Sequence, residues 1–276
     1  MLSFIQDANE LAIRIHAAYT LKQFVDLVAE SSSPEYEAQF MRVLSPGLKN
    51  GLRSKNELVR AEVFGVIAHA VTKCGRIDFL REMQVLLAGG DEEANFFNNI
   101  HHVQIHRRTR ALRRLGDQCD DHHLRGTTLA EIFVPLASNY IVTPASLDHH
   151  LINEAIVTTG RMAKQLACGA YYALVQQYLK SSRDRDKSER VYVRTLVAVL
   201  ENFHFPMEQI VPPQAPEAAD DVDADSDELD GDPENPFFEP VPPAPAQPMD
   251  IGKIVDAVNL RLLPNLLHHL EKRDVH

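Results

Sequence analysis

Residues 57–71 read Glu57-Leu58-Val59-Arg60-Ala61-Glu62-Val63-Phe64-Gly65-Val66-Ile67-Ala68-His69-Ala70-Val71. Apolar side chains recur along this stretch at helical spacing, at Val59, Val63, Val66, Ile67 and Ala70. At 3.6 residues per turn these positions form one stripe on one face of an α-helix. The stretch therefore predicts an amphipathic helix that must bury one face against another element.

Similar stripes recur through most of residues 1–205, and no strand-length alternation of apolar and polar residues is sustained. Further long helices are predicted over Phe96–Leu115, Leu147–Ala167 and Ser188–Phe203. Shorter apolar helices are predicted between them, at Ile77–Leu87, Thr128–Ile141 and Cys168–Leu179. The sequence thus predicts an all-α fold in which helices come in pairs.

The long helices repeat at a regular interval. When they are aligned on Arg60, Arg110, Glu154 and Arg194, the steps are about 40–50 residues, the length of the two-helix unit of HEAT and armadillo repeats. A helical hairpin cannot bury both of its apolar stripes alone, so it stacks on the next hairpin. We therefore predict a HEAT/armadillo-like α-solenoid over residues 1–205, with a four-helix bundle as the alternative.

Two local signals refine the predicted helices. Asn56 or Ser54 precedes the first stripe, and either side chain could cap the helix that follows. Pro135 lies inside the predicted helix Thr128–Ile141, where its missing N–H and its ring favour a kink.

A different composition begins after residue 205. The chain has 276 residues, 45% of them apolar, and a net charge of -11, but Glu208 to Asp250 contribute thirteen acids and no Lys or Arg. Eleven of the sixteen prolines lie between Pro206 and Pro248. Such a segment cannot bury enough surface to fold alone, so residues 206–250 are predicted to be a disordered acidic loop or linker. A helical stripe resumes in residues 251–276, which we interpret as a further solenoid helix of a longer protein.

Several classes of protein are disfavoured. No run approaches the roughly 20 apolar residues that span a bilayer, and the N-terminus lacks the features of a secretory signal, so no membrane association is expected. The cysteines, Cys74, Cys119 and Cys168, are widely spaced and odd in number, which favours buried thiols in a reducing, intracellular compartment.

The sequence also offers little for catalysis. Asp121-His122-His123 and Asp148-His149-His150 resemble a phosphoesterase string, but neither follows a strand, so we interpret them as a polar turn and a helix start. The thirteen histidines include no His-Glu-x-x-His, and no Gly-rich phosphate loop or Gly-x-Ser-x-Gly occurs. We predict no enzymatic activity, no metal, no cofactor and no small-molecule substrate.

Positive charge is concentrated in residues 101–114. On a helical wheel, Arg107, Arg110, Arg113 and Arg114 share an arc opposite the apolar side chains, and we call these four residues the basic ridge. Such arginines could bind nucleic-acid phosphates, or they could pair with acids of neighbouring helices. Arg108 falls within the apolar arc and is expected to pair with an acid of an adjacent repeat.

The segment that contains this ridge carries a family resemblance. It reads Phe96-Phe97-Asn98-Asn99-Ile100-His101-His102-Val103-Gln104-Ile105-His106-Arg107-Arg108-Thr109-Arg110-Ala111-Leu112-Arg113-Arg114-Leu115. This run resembles a signature segment of the Down-Regulated In Metastasis family, giant HEAT-repeat proteins associated with the U3 small nucleolar RNP. The likeness extends more loosely through most of the first 203 residues.

The resemblance implies a function that the residues alone do not establish. It implies a non-catalytic scaffold of the small-subunit processome, located in the nucleolus of the nucleus, that acts in 18S ribosomal RNA processing and early 40S ribosome assembly. Its partners would be pre-ribosomal RNA and processome proteins, with the basic ridge as a contact for RNA or ribosomal protein. The alternatives are a HEAT-type protein-binding or transport adaptor and, less favoured, a metal-dependent phosphoesterase.

Overall fold

A computed structural model describes residues 5, 11–31, 33–142, 148–183 and 189–205. Within these ranges the chain is helical and contains no strand, which confirms the predicted all-α solenoid. The described residues up to His204 form one compact unit. The predicted acidic loop and the predicted helix in residues 251–276 lie outside the described residues.

The helices are named here in chain order for the described part of the chain. Their bounds are α1 Leu11–Glu30, α2 Pro34–Gln39, α3 Ser45–Gly51, α4 Glu57–Lys73, α5 Asp78–Met83, α6 Phe96–Asn99, α7 Ile105–Asp120, α8 Gly126–Thr128, α9 Val134–Val142, α10 His149–Ala163, α11 Cys168–Arg183 and α12 Glu189–Leu200. Three other helical segments continue these: π-helical turns at Phe40–Leu44 and Leu129–Phe133, and a 3₁₀ segment at Gln84–Gly90.

Long helices pack against one another within the described residues. Helix α4 packs on α1, α7 packs on α10, and α10 packs on α12. Helix α9 packs on α10, and α11 packs on α12, so each of these pairs forms a hairpin. The residues on which the repeats were aligned, Arg60, Arg110, Glu154 and Arg194, lie on α4, α7, α10 and α12.

The predicted apolar stripes are the buried faces of these helices. All five stripe residues of α4, from Val59 to Ala70, are at most 4% exposed. Asn56 caps α4, because its side-chain oxygen accepts the Leu58 N–H at 3.0 Å. In α10 the side chains of Ile152, Ala155, Ile156, Thr159 and Ala163 recur at helical spacing and are likewise buried.

The π-helical turn before Pro135 has a counterpart before Pro46. Each proline is preceded by a π-helical turn, in which Val134 N–H donates to Leu129 C=O and Ser45 N–H donates to Phe40 C=O. A proline ring clashes with the carbonyl four residues earlier, and the wider π turn moves that carbonyl away. The helix thereby continues through the proline, and the deviation predicted at Pro135 takes this form.

The predicted helix Phe96–Leu115 is wrong as a single element, because it is divided into α6 and α7. Side-chain hydrogen bonds compete with the helix at the division. The amide of the buried Asn99 donates to the carbonyls of Glu92, Glu93 and Asn95, and Gln104 N–H donates to His102 Nδ1 at 3.1 Å. The chain therefore leaves the helix after Asn99 and starts a new one at Ile105.

Two of the three cysteines are buried, as the sequence predicted. Cys74 and Cys119 are buried thiols, whereas Cys168 is half-buried, contrary to the expectation for that residue. Burial raises the pKa of Cys119 to about 12. In the part of the chain that the structure describes, no helix is long and apolar enough to cross a membrane.

Replacement of Gly126 by alanine should destabilise the fold. A Cβ atom at this first position of α8 would collide with the backbone carbonyl oxygen of Gln165, which has little freedom to move. We expect Gly126→Ala to lower the free energy of unfolding by about 1–3 kcal/mol, the usual cost of forced overpacking. Chemical denaturation followed by circular dichroism measures the change.

Gly65→Ala is the matched control. A Cβ atom at Gly65, inside α4, would lie 3.6 Å from the flexible Lys22 ammonium, so it fits without strain. Alanine should therefore stabilise α4 by up to about 1 kcal/mol through its higher helix propensity. Equal effects of the two replacements would contradict the packing described at Gly126.

Candidate RNA or protein contact surface

Helix α7, which carries the basic ridge, is held by its packing against α10. Leu112 and Leu115 of α7 are fully buried, and Cys119 lies one turn further along the same face. Thr158 of α10, itself fully buried, donates from Oγ1 to the Leu112 carbonyl at 3.1 Å. The contact fixes which side of α7 faces inward.

Ion pairs at the margin of this contact fix the helices in register. Arg161 of α10 binds Asp117 at 2.7 Å and Asp120 at 2.6 Å, both on α7. The hydrogen bond from Arg161 lowers the pKa of the Asp120 carboxyl. A Cβ atom at Gly116 would meet the Arg161 guanidinium at 2.5 Å, so the guanidinium would have to move if this residue were larger.

Arg113 of the basic ridge is exposed but already paired. Its Nη2 lies 2.9 Å from Glu154 Oε2 on α10, and the Glu154 side chain is only 14% exposed. This hydrogen bond raises the pKa of Arg113. Arg113 thus neutralises a largely buried carboxylate and joins two repeats, as the alternative interpretation of the ridge predicted for its arginines.

Arg114 is turned toward the protein. It is half-buried, and its Nη2 donates to the Val85 carbonyl at 3.5 Å, a long hydrogen bond. Its Nε is buried without a hydrogen-bond partner among the described residues. Arg114 therefore packs α7 against the 3₁₀ segment and offers little of its guanidinium to a ligand.

Arg107 and Arg110 differ from the other two members of the ridge. Arg110 is exposed, Arg107 is half-buried, and neither side chain has a hydrogen bond or an ion pair within the described residues. They lie one turn apart near the start of α7, whose first turn contains no acid. The positive end of the helix dipole adds to their charge, and cations are unfavourable there without an anion. Together they form a place where an anion would be stabilised.

Arg108 takes the role expected from its place in the apolar arc. Its Nη1 lies 3.2 Å from Glu57 Oε1 on α4, and its side chain is 17% exposed. Its Nε donates to the His102 carbonyl at the start of α7. The predicted pairing with an acid of an adjacent repeat is confirmed.

The aromatic residues of the resemblance segment form part of the core. Phe96 and Phe97 contact Phe64, with ring centroids 5.9 Å and 5.3 Å away. His101 packs edge-on against the same Phe64 ring at 5.4 Å, and neither of its ring nitrogens has a hydrogen-bond partner among the described residues. Burial and the nearby Arg108 lower the pKa of His101 to about 4. The segment Phe96–His101 thus forms part of the core that lies before the start of α7.

The two Asp-His-His strings occupy a turn and a helix start, as interpreted from the sequence. Asp121 is the C-cap that follows α7, and His122 takes a left-handed conformation with φ of 57°. Asp148 caps α10 by accepting the His150 N–H at 2.7 Å. Within the described ranges, no three His, Cys, Asp or Glu side chains are grouped so that they could hold a metal ion.

A second surface was not anticipated from the sequence. A groove of about 700 Å³ lies between the loop after α3, helix α9 and helix α11. Its cationic edge is formed by Arg53 and Lys55, and its apolar wall includes Val134, Pro135 and Ala173. These residues are far apart in the chain and form no motif, so only the folded arrangement reveals them.

Comparison with known proteins identifies relatives of the chain. Residues 1–56 match the family described as U3 small nucleolar RNA-associated protein 20, N-terminal. The chain is 34% identical over 199 residues to U3 small nucleolar RNA-associated protein 20 of Schizosaccharomyces pombe, and 28% identical over 200 residues to the protein of that name from Saccharomyces cerevisiae. Each match covers 71% of this chain but 8% of the relative, so the chain spans a small part of the curated relatives' length. The family resemblance is confirmed.

His101, whose two ring nitrogens are buried, predicts a dependence of stability on pH. Its pKa is about 4 when folded, against an ordinary value of 6.5, so the unfolded chain binds a proton more readily. Its contribution to stability is complete above pH 6.5 and is lost as the pH falls toward 4. Between pH 7 and pH 5 this loss is on the order of 2 kcal/mol.

Urea denaturation of the wild type and of His101→Leu at both pH values tests this expectation. The variant should lose less stability on acidification than the wild type, by about the same 2 kcal/mol. His149→Leu, which replaces an exposed histidine, should keep the wild-type dependence. If His101→Leu lost as much stability on acidification as the wild type, His101 would not be the group responsible for the pH dependence.

Proposed function

We propose that this chain, a homologue of U3 small nucleolar RNA-associated protein 20 of two yeasts, is part of a non-catalytic scaffold of the small-subunit processome. In this role it acts in the nucleolus, in 18S ribosomal RNA processing and early 40S ribosome assembly. The name of the two yeast relatives, which associates them with the U3 small nucleolar RNA, supports the assignment, and so does the helical solenoid.

The proposal rests mainly on the position of two arginines, Arg107 and Arg110. Both are cationic, they lie one turn apart, and neither is neutralised by another described side chain. Guanidinium groups bind phosphate oxygens through charge-assisted hydrogen bonds, and the release of counterions favours the contact. The pair therefore contacts the phosphate backbone of pre-ribosomal RNA, which positions the RNA without reading its sequence.

The other two arginines of the ridge support this contact indirectly. Arg113 fixes α7 to α10 through Glu154, and Arg114 packs α7 against the 3₁₀ segment. Since both sets of contacts orient the same helix, they determine the direction in which Arg107 and Arg110 point. The ridge thus combines two RNA contacts with two residues that position them.

A protein-binding adaptor is the second candidate function, because the groove beside α9 and α11 offers an apolar surface for a partner. The two functions differ in their dependence on salt. A phosphate contact weakens steeply as salt rises, whereas an apolar contact does not. Strong RNA binding by the basic ridge would favour the scaffold.

Charge reversal of the free pair tests the proposed RNA contact. Arg107→Glu combined with Arg110→Glu should weaken association with pre-ribosomes in sucrose gradients. With purified protein, the slope of log affinity against log salt should decrease by about 1–2, because about two phosphate contacts are lost. The fold should be retained, since an acid at position 107 is favourable in the first turn of the helix and position 110 is exposed.

Arg53→Glu combined with Lys55→Glu is the matched control. It changes the net charge by the same amount, and both positions are exposed and outside the ridge. The purified variant should retain RNA affinity and the wild-type salt slope. Unchanged co-sedimentation of the Arg107/Arg110 variant, or an equal loss of RNA affinity in the purified control, would refute the assigned contact.

A further inference from the structure

The groove between the loop after α3, helix α9 and helix α11 has a cationic edge, and its side chains are exposed to a ligand. Arg53 and Lys55 are exposed, and their side chains make no hydrogen bond or ion pair within the described residues. The loop that carries them is fixed, because Arg60 Nη1 donates to the carbonyls of Ser54 and Lys55 at 2.7 Å and 2.9 Å. These two cations are therefore held at a defined position.

The carboxylate that lines the groove does not neutralise this edge. Glu131 lies among the lining residues, but its Oε2 binds Lys49 Nζ at 2.5 Å. Arg60 directs its Nη1 to backbone carbonyls, as described above. The groove therefore carries an excess of positive charge on one side, which favours a ligand with carboxylate groups.

The remaining lining of the groove is largely apolar. Pro135 and Val142 of the α9 side face Ala170, Ala173 and Leu174 of α11 across it. Val142 is 43% exposed, and the small alanine side chains allow a ligand to approach the α11 backbone closely. Exposed apolar surface of this kind gains stability when another apolar surface covers it.

We propose that this groove binds an acidic peptide segment of a partner protein. Apolar side chains of the peptide cover the surface between α9 and α11, and its Asp or Glu side chains pair with Arg53 and Lys55. A nucleic acid fits less well, because two cations offer few phosphate contacts and the apolar lining would stay uncovered. No residue of the basic ridge lines the groove, so this inference does not depend on the proposed RNA contact.

Fluorescence anisotropy with the full chain tests the proposal. The probe is a labelled synthetic peptide of about fifteen residues in which Leu and Phe alternate with Glu, the pattern that such a groove would recognise. Arg53→Glu combined with Lys55→Glu should weaken its binding by about tenfold or more, since two charge pairs are reversed. Arg107→Glu combined with Arg110→Glu changes the charge equally and should leave peptide binding intact.

Ala173→Arg separates occupation of the groove from general attraction between opposite charges. Ala173 is exposed, so the variant should fold, and arginine adds both bulk and positive charge at this position. A peptide that lies in the groove should be displaced, whereas a peptide held by charge alone should bind more tightly. Weaker binding supports the proposal.

Other results would overturn the proposal. These are the absence of peptide binding, an equal loss in both double variants, or tighter binding to Ala173→Arg. A labelled RNA oligonucleotide that loses affinity in the Arg53/Lys55 variant, while the peptide does not, would identify a phosphate chain as the occupant instead. Circular dichroism of each variant establishes that the fold is retained.

Discussion

The packing of α7 against α10 determines which charges this protein presents. The buried hydrogen bond from Thr158 to the Leu112 carbonyl and the ion pairs of Arg161 hold one face of α7 inward. Because side chains on a helix have fixed angular positions, holding one face also fixes the opposite one. As a consequence, Arg107 and Arg110 have no side-chain partner among the residues that the structure describes, whereas Arg113 is close enough to Glu154 to be neutralised. A rotation of α7 would change all of these properties together.

The sequence predicted those parts of the fold that follow from periodicity. The stripe from Val59 to Ala70 defined α4 because burial of a helix face is a local pattern in the chain. The division between α6 and α7 was not predictable in this way, since it depends on side-chain hydrogen bonds of Asn99 and His102 rather than on hydropathy. Helical periodicity therefore located the helices but not their interruptions.

The candidate site was predictable in part for the same reason. A helical wheel places the four arginines of the ridge on one arc, but it contains no information about residues on other elements. Glu154 neutralises Arg113, and the Val85 carbonyl accepts a hydrogen bond from Arg114. The groove was missed because its parts, Arg53, Val142 and Ala173, come together only when distant helices pack. Charge patterns along a chain thus identify cations, and tertiary contacts decide which of them remain free for a ligand.

We propose that Arg107 and Arg110 of α7 contact pre-ribosomal RNA. The most direct measurement is ultraviolet crosslinking of the tagged protein to RNA in cells, with sequencing of the bound RNA and mass spectrometric mapping of the crosslinked peptide. We expect enrichment of precursor RNA around the 18S sequence and a crosslink within α7, near Arg107 and Arg110. Recovery of no ribosomal precursor, or crosslinks confined to other helices, would contradict it.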